Sequence, residues 1–296
     1  VLSGTNVLAD SGLYTMELLL KDRALIKKLE GLKDIIMGLE SVVVAFSGGV
    51  DSSLITKVCY DALGDKAMAV TANSETYPGF ELEEAKTLAK AIRIKHLVIE
   101  TSELAIEGFA DNPPNRCYFC KTELFEKLKE IASQQGFKHV ADGANLDDTG
   151  DFRPGLEAAQ ELGIRSPLKE ARLTKDDVRQ LSRLLGLSTW DKPSYACMSS
   201  RFPYGEKITK DKLAMVSRAE DFLRTMGFKQ FRVRHHETIA RIEVPSENIR
   251  TLTDPLVRTE IVKKFKEIGF TYVTIDLEGF RSGSMNEPLK TVDSIQ

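Results

Sequence analysis

Residues 42–53, Val-Val-Val-Ala-Phe-Ser-Gly-Gly-Val-Asp-Ser-Ser, constrain this chain more than any other stretch. Val42 to Phe46 is a short apolar, β-branched run of the kind buried on both faces of a parallel sheet. Ser47-Gly48-Gly49 breaks the strand, and Asp51-Ser52-Ser53-Leu54 opens a helix. A strand that turns at glycine straight into a helix aims backbone N–H groups, and the positive end of the helix dipole, at a bound anion. Gly48 and Gly49 let a phosphate approach the backbone with no Cβ in the way. Ser47, Ser52 and Ser53 add hydroxyls. Asp51 is placed to hold the magnesium that accompanies a nucleotide.

The surrounding pattern alternates strand and helix. Helical spacing covers Met16 to Leu39; a helix from Ser52 to about Leu63 follows the core strand. Ala67–Ala72 and His96–Glu100 read as strands flanking a helix from Pro78-Gly79 to Ile92. A helix over Lys121–Gln135 and a strand over His139–Asp142 complete the series. The expected fold is therefore α/β, a doubly wound parallel sheet whose ligands sit at the carboxyl ends of the strands. Asn73 and Gly143 lie at that edge with the glycine turn. Residues 102–120 interrupt the alternation, with Asn112-Pro113-Pro114-Asn115 forcing an extended loop. Thr174 is the expected N-cap of a helix ending near Gly186. After Trp190 a second, smaller α/β unit is expected: a helix over Ile208–Met226, a hairpin of Phe231–His235 and Ile239–Val244, a helix to Ile268 and a strand over Tyr272–Asp276. The predicted division is 1–15, a tag or flexible extension with Met16 a candidate start; 16–195, the nucleotide-binding domain; and 196–296, a substrate or oligomerisation domain.

Composition narrows the setting. The chain has 296 residues, 42% hydrophobic and 29% charged, which suits a soluble globular protein. A net charge of −3 and a pI near 6.0 argue against a dedicated nucleic-acid binder. No stretch approaches the roughly 20 apolar residues of a membrane span. Four cysteines make no disulfide framework, which points to the cytoplasm.

Cys117-Tyr118-Phe119-Cys120 reads as a zinc half-site, a redox pair or part of an iron–sulfur site. Cys197, in Tyr195-Ala196-Cys197-Met198-Ser199-Ser200-Arg201, is the strongest third thiol, whereas Cys59 reads as a packed core thiol. Three cysteines suffice for three irons of a 4Fe–4S cluster, leaving one iron open. Arg232 and Arg234 alternate on a strand and project from one face, a pair suited to phosphate or carboxylate. Arg201 and Arg281 lie in loop-like segments and extend that set.

The Ser-Gly-Gly-x-Asp-Ser string resembles the PP-loop of ATP pyrophosphatases, which cleave ATP between its α and β phosphates; no Gly-Lys-Ser/Thr follows, so it is not a Walker A loop. With Asn73-Ser74-Glu75, Asp142-Gly143, Asp151-Phe152-Arg153-Pro154-Gly155, Ser199-Ser200-Arg201-Phe202-Pro203-Tyr204-Gly205, Arg232-Val233-Arg234 and Gly279-Phe280-Arg281-Ser282-Gly283, it resembles the LarE family. The resemblance runs from about Leu25 to Asn286. It implies an ATP-dependent sulfurtransferase that adenylates a carboxylate of pyridinium-3,5-dicarboxylate mononucleotide, a precursor of the nickel-pincer cofactor of lactate racemase, and converts it to a thiocarboxylate with release of pyrophosphate and AMP. ATP and Mg²⁺ would sit on Ala45, Ser47, Gly48, Gly49, Asp51, Ser52, Ser53, Asn73 and Gly143. Arg232, Arg234 and Arg281 would bind the nucleotide substrate, and Arg201 would neutralise charge developing near Cys197. The family includes a single-cysteine version that sacrifices its own sulfur and a three-cysteine version with a 4Fe–4S cluster. Cys117, Cys120 and Cys197 match the second, which implies an external sulfur donor; a homo-oligomer is also expected.

Other readings use the same loop. A tRNA thiolase would need a basic face or an RNA-binding module, which the acidic pI disfavours. An amide-forming ligase would have no use for the thiols, and a non-catalytic nucleotide-binding scaffold would release no pyrophosphate.

Overall fold

A computed structural model describes residues 23–150, 154–193, 195–281 and 283–287. The predicted extension 1–15, the candidate start at Met16, Asp151-Phe152-Arg153 and Ser282 lie outside the described residues. The chain divides into two compact units. The first comprises the chain up to Thr71, Leu82–Ile99 and Lys121–Lys192; the second comprises Ala72–Glu81, Glu100–Cys120 and the chain from Pro193 on.

The first unit is built on a four-stranded parallel sheet with the order β3-β2-β1-β4, where β1 is Val42–Ala45, β2 Ala67–Asn73, β3 Lys95–Glu100 and β4 His139–Ala141. β1 pairs in parallel with both β2 and β4, so it is the central strand. Successive side chains of a strand face opposite ways. Val42 and Val44 accordingly join one apolar cluster and Val43 another. The first cluster takes residues from α1 (23–37), α2 (Val50–Leu63), α3 (Gly79–Ile92), α6 (Pro167–Glu170) and α7 (Lys175–Leu184); the second takes Phe125, Leu128 and Ala132 of α4 (Arg116–Gln135) and Ala159 of α5 (Pro154–Glu161). Helices thus cover both faces, as the continuous apolar strand predicted. The strand order reverses between β1 and β4, and the crevice at such a switch point is where ligands bind in open α/β sheets.

The second unit has a mixed three-stranded sheet, β5 (Arg232–His236), β6 (Ile239–Glu243) and β7 (Tyr272–Ile275). β5 and β6 are antiparallel, and β6 and β7 parallel. Its apolar core gathers Phe202, Phe231 and Val233 with residues from α8 (Lys210–Thr225), α9 (Ser246–Thr253) and α10 (Pro255–Ile268).

Two differences from the sequence expectation have local causes. α4 begins at Arg116 rather than Lys121, so Cys117 and Cys120 lie on its first turns and not beside it in a loop. Proline resists helix interiors but not helix starts, and Asn112, at φ +57°, turns the chain into the helix. The predicted helix up to Ile268 is two helices. Pro255 cannot continue α9 but suits the first turn of α10, where the Asp254 carboxylate accepts from the N–H groups of Leu256 and Val257. Among the described residues no helix is long and apolar enough to cross a membrane.

Candidate active site

The turn after β1 has the form its sequence requires. Gly48 sits at φ +66°, a conformation costly for other residues, and a Cβ there would lie 3.1 Å from that of Ala85. Gly49 is the N-cap of α2 and supplies no side-chain cap, so the first turn of the helix presents its backbone N–H groups outward. The hydroxyls chiefly shape the loop. Ser53 donates to the Gly49 carbonyl at 2.6 Å and is fully buried, while Ser52 donates to the same carbonyl at 3.2 Å and lies 3.1 Å from the Ser47 hydroxyl. Lys192 adds a cation from the end of this unit: its ammonium donates to the Gly48 carbonyl at 3.1 Å and pairs with Glu84 at 2.8 Å. Both residues line an open groove beside Gly48, with Thr87, Ser188 and Asp191.

Asp51 projects from the first turn of α2 into a polar knot. Asn145 donates to its Oδ1 at 3.0 Å and the Lys175 ammonium contacts its Oδ2. Gly143, just after β4, is packed so tightly that a Cβ would lie 2.9 Å from the Ser52 nitrogen. Asp142 beside it is buried; burial raises its pKa, opposed by hydrogen bonds from the Ser166 hydroxyl and the Ala144 N–H. Asp51 supplies one carboxylate next to the glycine turn expected to hold phosphate. That fits magnesium, which takes one or two carboxylates with the rest of its shell from phosphates and water.

In the second unit, Asn73 at the end of β2 donates to both oxygens of Glu100 at 3.0 Å. Cys117 and Cys197 are exposed. Cys120, one helical turn from Cys117, packs against the core of this unit, its thiol 4.0 Å from the Glu103 carboxylate. Among the described residues, no three His, Cys, Asp or Glu side chains come together as a metal-holding group. The three thiols have the chemistry of an iron–sulfur ligand set but are not assembled as one. Cys59 is a core thiol as expected: it is fully buried in the first unit, and burial pushes its pKa up.

The arginines differ most from the sequence reading. Arg201, expected to neutralise charge near Cys197, is 0% exposed. Its guanidinium forms a bidentate pair with Glu220, both bonds 2.8 Å, and its remaining arm donates to the carbonyls of Ala196 and Cys197 and to the Ser200 hydroxyl. Burial works against its charge and Glu220 more than restores it, so its pKa lies above the ordinary value. Arg201 therefore holds the Cys197 segment from behind. Arg234 is likewise bidentate to the fully buried Glu243, at 2.9 Å, and donates to Ser200 and Ser284. Arg281 is ringed by Asp276, Glu278 and Glu287. Arg232 is buried, donates to the Phe231 carbonyl, and lies 5.0 Å over the Phe280 ring and 5.8 Å over the Tyr195 ring. Burial, together with the charges of Arg201 and Arg234, pulls its pKa down to about 10.

Sequence reasoning missed Asn145, Lys175 and Lys192 as neighbours of the loop and Glu220 and Glu243 as partners of the arginines. Asn145 lies two residues beyond Gly143, which was expected at the ligand edge, and that was a usable signal. The glutamates carried none.

Comparison with known proteins agrees with this architecture. A family model described as NAD synthase matches residues 27–115, which include the glycine turn. An uncharacterized protein of Synechocystis sp. is 49% identical over 262 residues, 88% of this chain and 98% of that protein. Pyridinium-3,5-bisthiocarboxylic acid mononucleotide synthase of Lactiplantibacillus plantarum is 43% identical over 253 residues, 85% of this chain and 91% of the synthase. The tRNA-specific 2-thiouridylase MnmA of Rickettsia africae is 29% identical over 191 residues, 52% of each chain. Likeness over nearly the whole synthase takes in both units, whereas the thiouridylase shares about half. The chain belongs to the family of that synthase, the LarE family of PP-loop, ATP-dependent sulfur-inserting enzymes.

Proposed function

We propose that this protein converts a carboxylate of pyridinium-3,5-dicarboxylate mononucleotide to a thiocarboxylate at the expense of ATP. The observation that supports it most is the 43% identity to a synthase of the bisthiocarboxylic mononucleotide across 91% of that protein. A carboxylate is a poor electrophile, so the reaction needs activation first. A substrate carboxylate oxygen attacks the α-phosphorus, the bond to the β-phosphate oxygen breaks, and pyrophosphate leaves. A sulfur nucleophile then attacks the acyl carbon and AMP departs with the shared oxygen. In the first unit, the N–H groups opening α2 and the Gly48–Gly49 turn hold the polyphosphate. Asp51 would hold a magnesium ion, which supplies charge neutralisation there. In the second unit, Arg232, Arg234 and Arg281 are the arginines we assign to the substrate's phosphate or free carboxylate. Arg234 also pairs with Glu243, and Arg281 with Glu278 and Glu287.

The sulfur is handled at Cys117, Cys120 and Cys197. The family resemblance favours a 4Fe–4S cluster on these thiols, reloaded by an external donor, in a homo-oligomer. Among the described residues the three thiols are not gathered into one metal-holding group. Protein purified and reconstituted without oxygen should carry about four irons per chain, lost in Cys117→Ala, Cys120→Ala and Cys197→Ala and kept in Cys59→Ala. Iron-free protein in which Cys197 becomes dehydroalanine after one turnover would replace the cluster by a sacrificed cysteine.

The function itself is tested by supplying ATP, Mg²⁺, sulfide and the dicarboxylate mononucleotide, and following pyrophosphate and the thiocarboxylate by mass spectrometry. Pyrophosphate release that depends on the mononucleotide is expected, and release indifferent to it would overturn the assignment. The partial likeness to a tRNA thiouridylase favours one second reading, transfer of sulfur to tRNA. Sulfur appearing in tRNA and not in the mononucleotide would establish it.

A further inference from the structure

Asp51 is the acid of the PP-loop helix, yet its carboxylate is already engaged on both oxygens by Asn145 and Lys175. Three segments of the first unit converge there. Asp51 comes from the first turn of α2 and Asn145 from the loop after β4. Lys175 is the first residue of α7, and its backbone N–H donates to the Asp147 carboxylate at 2.8 Å. Asn145 is buried and donates through a short side chain, so it is a fixed support. Lys175 has a different character. Its ammonium sits on a flexible four-carbon stem whose side chain is 35% exposed, against 24% for Asp51. A partly exposed lysine–carboxylate pair of this kind is weak enough to be exchanged for a stronger cation.

We propose that Lys175 occupies the magnesium position at Asp51 when nucleotide is absent, and that the metal arriving with ATP displaces it onto the polyphosphate. The inference rests on the assignment of Asp51 as the magnesium ligand and deepens it. The electrostatic argument is direct. The turn after β1 is built to receive a polyanion, and a bare Asp51 carboxylate at its mouth would repel one. Lys175 cancels that charge in the empty site. With Asp51 engaged by a magnesium ion, the ammonium would lose its carboxylate partner and be free to pair with the anionic nucleotide instead. Fixing Lys175 at the start of α7, itself anchored by Asp147 and by the Thr174 capping box, keeps the ammonium within reach of both positions.

The test is binding of a non-hydrolysable α,β-methylene analogue of ATP by titration calorimetry, with and without Mg²⁺, to full-length wild type, Lys175→Met, Lys175→Arg and Asp51→Asn. Mn²⁺ is read directly by electron paramagnetic resonance as a stand-in for magnesium. The ratio of affinities with and without metal is the informative quantity. Lys175→Met should weaken metal-free binding and widen the ratio by about tenfold, the order expected for one uncompensated charge beside a polyanion. Lys175→Arg should restore the metal-free affinity, and Asp51→Asn should bring the ratio towards one. Lys175→Met should also take up Mn²⁺ without nucleotide more readily than wild type. If Asp51→Asn removes the metal dependence while Lys175→Met leaves the ratio and Mn²⁺ uptake at wild-type values, the exchange is wrong and the metal site stands. If Asp51→Asn keeps the wild-type ratio, the metal assignment itself fails.

Discussion

The two units solve the problem of holding polar groups in opposite ways. The first makes its site from backbone: a glycine turn at φ +66°, an uncapped helix start, and hydroxyls that brace the loop. The second makes its polar face from side chains, burying Arg201 against Glu220 and Arg234 against Glu243. A backbone site is specified within a dozen consecutive residues. A buried ion pair is specified by two positions 19 or 9 apart that meet only in the fold. The first unit therefore advertises its turn in sequence, and the second conceals which carboxylates its arginines pair with.

The largest test of this contrast removes one half of a buried pair. Arg201→Met leaves Glu220 charged and enclosed, and should cost about 3–5 kcal/mol in urea unfolding, since removing one partner strands the other. Nucleotide binding by the first unit should persist wherever the variant is folded. A loss of catalysis at unchanged stability would instead return Arg201 to the reacting group. The pair also sets an acid limit. Burial pushes the Glu220 pKa up, but Arg201 and the Val233 N–H overcome this and hold it below its ordinary 4.5. Its contribution is thus complete above 4.5, where the unfolded carboxyl is also ionised, and is lost as pH falls through the lowered value. Glu220→Gln should flatten that limb of the pH–stability curve.

Gly143→Ala probes the backbone site and should have the next largest effect. The new Cβ would meet the Ser52 nitrogen at 2.9 Å and the Asp51 carbonyl carbon at 3.1 Å, and neither can move without shifting the helix start. Overpacking of this order costs about 1–3 kcal/mol. The sharper readout is ATP affinity, which should fall about tenfold as the N–H donors of α2 lose alignment. Unchanged affinity for the ATP analogue in Gly143→Ala would mean that this edge of the loop does not bear on the nucleotide.

What could be read beforehand follows the same division. Strands β1 to β4 were legible because apolar, β-branched runs bounded by turn residues have few other homes. The turn itself was legible because Gly48 and Gly49 have a physical reason to be glycine. The start of α4 was misplaced because Pro113-Pro114 reads as a breaker until the turn at Asn112 is seen to feed a helix. The alternation of Arg232 and Arg234 along a strand is legible in sequence, but the carboxylates that Arg234 and Arg281 pair with were invisible. Glu243 faces Arg232 in the antiparallel register and is bonded to Arg234, a diagonal relation that pattern alone does not select.

The smallest effect compares one device used in both units, the threonine N-cap. Thr174 accepts from the Asp177 N–H, and the Asp177 carboxylate accepts in turn from the Thr174 N–H and hydroxyl, completing a capping box. Lys28 pairs with the same carboxylate at 2.6 Å. Burial acts to raise the Asp177 pKa, but Lys28 and the Thr174 bonds outweigh it and leave it lowered. Thr209 caps α8 with a single 3.3 Å bond from the Lys212 N–H. Thr174→Ala should therefore cost about 1 kcal/mol and Thr209→Ala about half that. The Thr174 contribution should also fade in acid, since a carboxylate held below its ordinary value protonates first in the unfolded chain. The Thr209 contribution has no titrating member and should not change over the same range. Equal costs, or an equal pH response, would mean that the capping box adds nothing to the bare threonine cap.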